Sequence, residues 1–101
     1  MEFKRELLKG VMTVTLGGEL DERTAREARE YLDECIKKYR FDRMILDFGG
    51  VEFMDSTGIG VLLGRYNILR SEGAELCVTR VKPQIDKVFR VSGLYQIIKA
   101  V

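Results

Sequence analysis

The sequence contains no histidine, one proline and two cysteines among its 101 residues. Without histidine it lacks the commonest general base, the commonest metal ligand and any Ser-His-Asp catalysis. Cys35 and Cys77 are too few and too far apart for a disulfide framework or a zinc site. Both lie among apolar residues, so buried free thiols are expected. No apolar run approaches the length of a membrane span. The opening Met1-Glu2-Phe3-Lys4-Arg5 is charged where a secretory signal would be apolar. An excess of one charge is also missing: 17 Lys and Arg stand against 16 Asp and Glu, a net charge of +1. That balance favours neither nucleic acid nor an anionic membrane as partner. A cytoplasmic location is therefore expected.

Apolar residues make up 46% of the chain and charged ones 33%, enough for one globular domain over residues 1–101 with a single core. Phe3–Leu8 reads as a strand, Lys9-Gly10 as a tight turn, and Val11–Leu16 as a second, β-branched strand that completes a hairpin. Gly17-Gly18 ends that strand. Ala25, Ala28, Leu32, Cys35, Ile36 and Tyr39 then form an apolar stripe at helical spacing, with Asp21 or Thr24 as the cap and Lys37-Lys38 at the C-terminal dipole. Met44–Phe48 is a short buried strand. A helix over about Ser56–Ser71 buries Ile59, Leu62, Leu63, Tyr66 and Leu69 and stops at Gly73. Glu75–Val81 is a strand. Pro83 opens a helix that buries Ile85, Val88 and Phe89 and ends at Gly93. Ile97–Val101 is the last strand.

The order β-β-α-β-α-β-α-β predicts an α/β fold, a mainly parallel sheet with an antiparallel first strand and packed helices. Functional loops of such sheets lie at the carboxyl ends of the strands. Two loops there carry polar groups, Gly17–Asp21 and Glu52–Thr57, and they are expected to be neighbours.

The second of these loops leads into Met54-Asp55-Ser56-Thr57-Gly58-Ile59-Gly60, where an acid, two hydroxyls and two glycines meet at one helix start. Helix N-termini offer unpaired N–H groups and partial positive charge, so they present a hydroxyl well and tolerate an anion. Ser56 is most simply the helix N-cap. Gly58 and Gly60 each cost about 1 kcal/mol of helix propensity relative to Ala, which points to a close approach by another part of the chain or by a partner. Asp55 either holds the loop by accepting backbone N–H bonds or orients the Ser56 hydroxyl. Asp21 acts either as a cap or, beside Ser56, in binding. Asp47, at a strand end, lacks the acidic pair and the lysine of a phosphoaspartate site.

Enzyme motifs do not fit this turn. Asp55 and Gly58 are separated by both hydroxyls, unlike the Asp-Ser/Thr-Gly of aspartic proteases. A nucleophile elbow needs Gly-x-Ser-x-Gly and a base partner. A P-loop needs wider glycine spacing and a lysine. On the same helix, Gly60, Val61, Gly64 and Ile68 are expected to form a small, apolar outer side, covered either by another helix or by a partner.

Three segments resemble a known family: Gly18-Glu19-Leu20-Asp21, then Phe53 to Tyr66, then Ser92-Gly93-Leu94-Tyr95-Gln96-Ile97-Ile98. Together they resemble the STAS-domain anti-sigma factor antagonists of bacteria, most of all the sporulation antagonist, with the general-stress antagonist next. The resemblance implies a single STAS domain with no catalysis and no cofactor. It implies two partners, an anti-sigma factor that is also a serine kinase and a PP2C-type phosphatase. The unphosphorylated form binds the first and frees the sigma factor, and phosphate on the serine after the motif aspartate ends the binding. That serine matches Ser56, and the aspartate closing the earlier segment matches Asp21. The implied contact surface is Asp21, Asp55, Ser56, Thr57, Gly58, Ile59 and Gly60. Thr57 is a second hydroxyl, so the choice of Ser56 rests on family position. Members often continue into a further helix beyond the position of Val101. The rival readings are a regulatory domain holding an anion or nucleotide at the Ser56 turn and a small hydrolase using Ser56.

Overall fold

A computed structural model describes all 101 residues. Strand β1 (Glu2–Leu8) pairs antiparallel with β2 (Val11–Leu20), and β3 (Arg43–Met54), β4 (Glu75–Thr79) and β5 (Lys99–Ala100) follow as parallel neighbours in chain order. Helices α1 (Ala25–Lys38), α2 (Ser56–Ser71) and α3 (Pro83–Ser92) form the crossovers. Each crossover steps to the next strand on the same side, so right-handed connections put all three helices on one face. Burial agrees. Met12, Val14 and Leu16 of β2, Met44, Leu46 and Phe48 of β3, and Leu76 and Val78 of β4 join the buried residues of all three helices in one core. The alternate residues Thr13, Thr15, Ile45 and Asp47 belong to the other, helix-free face. Both cysteines are buried free thiols; Cys77 lies outside the main core and Cys35 within it.

The expected elements are present in the expected order, with corrected ends. β2 does not stop at Gly17-Gly18, and β3 does not stop at Phe48. Both run on, and their ladders stay paired through two register shifts. Glycine makes this possible. Gly18 sits at φ +105°, and a Cβ on Gly50 would lie 2.9 Å from the Leu16 carbonyl oxygen. A chain that reads as a loop is therefore held as bulged strand. Asp47 is thus mid-strand; its carboxylate accepts from Gly49 N–H (2.9 Å) and from Arg80 Nε (2.9 and 3.1 Å). β4 ends at Thr79, short of Val81, because Arg80 turns the backbone at φ +55°. The last strand is only Lys99–Ala100; Leu94–Gln96 form a 3₁₀ turn before it.

The third helix follows its sequence signals closely. Pro83 sits in its first turn and Gly93 ends it in the left-handed region at φ +79°. Phe89 packs edge-on to Phe48 and stacks on Tyr95. The Tyr95 hydroxyl donates to Asp86 Oδ1 at 2.6 Å. Burial, then the bond to Asp86, pushes the Tyr95 phenol up to about 12. An unfolded tyrosine ionises near pH 10. Native Tyr95 therefore keeps a proton that the unfolded chain loses, and its contribution to stability is complete below pH 10 and lost between about pH 10 and 12. Tyr95→Phe is expected to flatten the fall in melting temperature across that window. Thermal melts at stepped alkaline pH measure it; parallel slopes for both proteins contradict the coupling.

Candidate functional site

The site is built where β2 and β3 end side by side. Glu19 pairs with Phe53 and Leu20 with Met54, and the Asp55 N–H donates to the Leu20 carbonyl at 3.3 Å. The two polar loops are thus neighbours because their strands are adjacent and parallel. Each strand then delivers a helix start: Asp21 precedes α1 and Asp55 precedes α2.

Asp55, and not Ser56, is the N-cap of α2. Its Oδ1 accepts from Thr57 N–H at 2.9 Å and from Gly58 N–H at 3.4 Å. Ser56 is the first helical residue. The reason is competition for donors: a carboxylate is a stronger acceptor for helix N–H groups than a hydroxyl, and it meets the positive end of the helix dipole. Relieved of capping, the Ser56 side chain is exposed, whereas Thr57 is half-buried. This geometry distinguishes two hydroxyls that the sequence leaves equivalent. It also weakens the anion-site reading, because two helix N–H donors are already occupied by a negative group.

The two glycines separate as well. A Cβ on Gly58 would meet Met54 Cγ at 2.4 Å, Met54 Sδ at 3.0 Å and Leu20 Cγ at 3.1 Å. The close approach at Gly58 is therefore internal: the end of β3 and the end of β2 press on the first turn of α2. Around Gly60 and Gly64 no atom beyond the adjoining residues and the helix's own backbone lies within 4 Å of where a Cβ would be, and Gly60 is exposed. Nothing within the chain accounts for a glycine there.

The outer side of α2 differs from the expected one. Val61 is in the core and Ile68 packs against it, while Ile59 and Tyr66 are half-buried and Leu63 is exposed. The helix is turned so that Gly58, Val61, Leu62, Arg65 and Leu69 face inward. Ser56, Gly60, Leu63 and Asn67 then form the exposed side, with Phe53 at 47% exposure on the adjoining strand end. Phe53 and Leu63 do not stand out as surface residues in the sequence, where a large apolar side chain reads as core.

Asp21 is buried to 8% exposure, and its side chain does not cap α1. Oδ1 accepts from Arg23 N–H at 2.9 Å and Oδ2 from Arg23 Nη2 at 2.9 Å. The Arg23 guanidinium, then its backbone N–H, holds the Asp21 carboxyl below the usual carboxylate range, against the opposing effect of burial. Thr24 stands at the cap position, but its hydroxyl turns back to donate to the Glu19 carbonyl at 2.6 Å. The Asp21 carbonyl itself accepts from Thr24 and Ala25 N–H. Arg23 also reaches Glu19 at 2.6 Å, tying the loop into one unit. Residue type alone does not single out Arg23; its place two residues after an aspartate, the spacing of an Asx turn, is the available signal.

Of the seven candidate residues, Ser56 and Gly60 are open, Asp55, Thr57 and Ile59 are half-buried, and Asp21 and Gly58 are largely enclosed. No cluster of His, Cys, Asp and Glu is arranged to hold a metal ion. No helix is long and apolar enough to cross a membrane.

Comparison with known proteins agrees with this architecture. Residues 3–101 match the STAS domain model. Over 97 residues the chain is 36% identical to the anti-sigma F factor antagonist of Paenibacillus polymyxa, covering 96% of this chain and 83% of that one. It is 33% identical over 86 residues to the anti-sigma-B factor antagonist of Listeria monocytogenes, covering 85% and 75%. Its fold is similar to that of the Bacillus cell fate determinant SpoIIAA in the phosphorylated form, with a TM-score of 0.74 and 28% identity over 99% of this chain and 91% of that one. With its sheet order, its paired loops and its Asp55-Ser56 helix start, the chain belongs to the STAS-domain family, among the anti-sigma factor antagonists.

Proposed function

We propose that this chain is the phosphorylation-controlled member of a partner switch. Unphosphorylated, it binds an anti-sigma factor that is also a serine kinase, and the sigma factor is freed. Phosphorylation at Ser56 ends the binding, and a PP2C-type phosphatase restores it. The chain acts by binding and performs no catalysis. The observation that carries this reading is the exposed Ser56 hydroxyl at the first position of α2, beside an Asp55 carboxylate that already occupies the helix donors.

The physics follows from that arrangement. A phosphoserine brings about −1.5 to −2 charge at neutral pH. With the Thr57 and Gly58 N–H groups bonded to Asp55, the phosphate adds to the Asp55 charge and gains few local partners. It therefore stands outward, over the open Gly60 side where a partner would dock. Folding is little affected, and the interface carries the effect. The phosphorylated form in which SpoIIAA was solved supports a fold that persists with phosphate. Asp21, enclosed and paired with Arg23, would serve binding by fixing the loop that neighbours this turn.

The test separates hydroxyl from charge. Ser56→Ala is expected to change stability by no more than about 0.5 kcal/mol, as for an exposed residue outside a cap, and to bind as the unmodified chain does. Incubation with the kinase and ATP should leave it unmodified by mass spectrometry. Ser56→Asp is expected to bind at least about tenfold more weakly, about 1.4 kcal/mol. Thr57→Ala should still take phosphate at Ser56. Calorimetry that finds equal affinity for Ser56→Asp and the unmodified chain, or phosphate located on Thr57, would refute the assignment.

A further inference from the structure

The free edge of the sheet carries a charge pattern that reads against itself. β1 pairs only with β2, so its other side presents a row of unpaired backbone groups. Six of its seven residues, including Lys4, Glu6, Leu7 and Leu8, are exposed. Lys4 lies opposite Thr15 and Glu6 opposite Thr13, on the helix-free face; Phe3 lies opposite Leu16 and Leu7 opposite Met12, on the helix face.

A second copy placed antiparallel along this edge has few allowed registers. A shift of one residue sets helix-face side chains against bare-face ones, which the pleat forbids. Among the remaining registers, one centred on Lys4 opposes Lys4 to Lys4 and Glu2 to Glu6. One centred on Glu6 opposes Glu6 to Glu6. Only the register centred on Arg5 opposes Lys4 to Glu6, and by symmetry does so twice. The same register sets Phe3 against Leu7 twice on the helix face, which covers a leucine that is 42% exposed in the single chain. Its cost is Arg5 facing Arg5. Each guanidinium is already held over its own Tyr31 and Tyr39 rings, 5.7 and 5.1 Å from their centroids. Registers centred on Phe3 or Leu7 oppose no like charges but pair only three residues of each strand, and those centred on Lys4 or Glu6 oppose like charges at their centres. The Arg5 register alone pairs the whole strand Glu2–Leu8 and sets Lys4 against Glu6.

We propose that β1 is a homodimerisation edge: two copies pair antiparallel about Arg5, Lys4 of each against Glu6 of the other, in one continuous sheet. A single strand pair buries little surface, so the dimer belongs to the weak, concentration-dependent class. The Ser56 turn lies at the ends of β2 and β3, away from this edge, and the inference is independent of the function proposed for that turn.

Sedimentation velocity over a concentration series up to the millimolar range tests it on the whole chain. The unmodified protein is expected to shift from monomer toward dimer. Lys4→Glu and Glu6→Lys each place like charges in both contacts and are expected to weaken the dimer at least about tenfold. An equimolar mixture of the two variants puts opposite charges together again and is expected to recover dimerisation. Both residues are exposed, so thermal melts should be unchanged. Hydrogen exchange on the unmodified chain gives a second reading without substitution, since β1 amides should gain protection as concentration rises. A strictly monomeric protein, variants that dimerise undiminished, a mixture that fails to recover, or β1 protection independent of concentration would each overturn the proposal.

Discussion

Asp33→Ala is expected to cost about 3 kcal/mol of stability, and Arg65→Met far less. Arg65 is the one buried cation, 8% exposed, and it lies where α2 meets α1. Its Nε stands 3.0 Å from Asp33 Oδ1. The alignment is poor, and neither Nε nor Nη1 of Arg65 completes a hydrogen bond. The charges therefore attract without the directional bonds that would offset their desolvation. Taking away the acid leaves a nearly dry guanidinium with no counter-charge. Taking away the base leaves a carboxylate whose Oδ1 is buried but whose side chain is 37% exposed, so it can turn toward water. Methionine also fills the space of the arginine stem. For a chain of this size about 3 kcal/mol corresponds to a melting temperature lower by roughly 12–24 °C. The double variant should melt close to Arg65→Met alone. Should Arg65→Met prove as costly as Asp33→Ala, the pair stabilises the helix contact as a bonded unit, and relief of an unpaired buried charge is not what Asp33 contributes.

The second expected effect is a change of sign within one helical turn. Gly60→Ala should raise stability by about 0.5–1 kcal/mol, because the added Cβ meets nothing and alanine is the better helix former. Gly58→Ala gains the same propensity but drives a Cβ into Met54, which is 3% exposed. Overpacking of this kind costs about 1–3 kcal/mol, so the net result should be a loss. Larger residues widen the gap. Gly60→Arg should fold and melt cooperatively while losing the partner, and Gly58→Arg should not fold. Melts of the four variants decide the matter. A stabilised Gly58→Ala would mean that the Met54 side chain moves aside freely, and Gly58 would then also be a surface feature.

The sequence by itself determined the order of elements, the hairpin, the face of α1 and both ends of α3. These rest on local chemistry. Ala25, Ala28, Leu32, Cys35 and Ile36 repeat at helical spacing among charged residues, so only one face can turn inward. Pro83 and Gly93 act on their own backbone. The position of the candidate site was legible too, because adjacent parallel strands must end side by side.

Tertiary structure decided the rest, wherever the chain offered two locally equivalent choices. α2 is apolar around much of its circumference, so periodicity does not choose between the Ile59-Leu63-Tyr66 side and the Val61-Arg65 side. Packing of Val61, Leu62 and Leu69 into the core shared with α1 and the sheet makes that choice. Gly17-Gly18 and Gly49-Gly50 read as chain breaks until the two segments lie beside each other and their backbone groups pair. Asp55 and Ser56 are both good caps by residue type. The caps differ only in which side chain reaches the Thr57 and Gly58 N–H groups, and that is a matter of how β3 delivers the chain to the helix. Gly58 and Gly60 are the same residue with the same propensity; Met54 and Leu20 stand against one, and open space against the other.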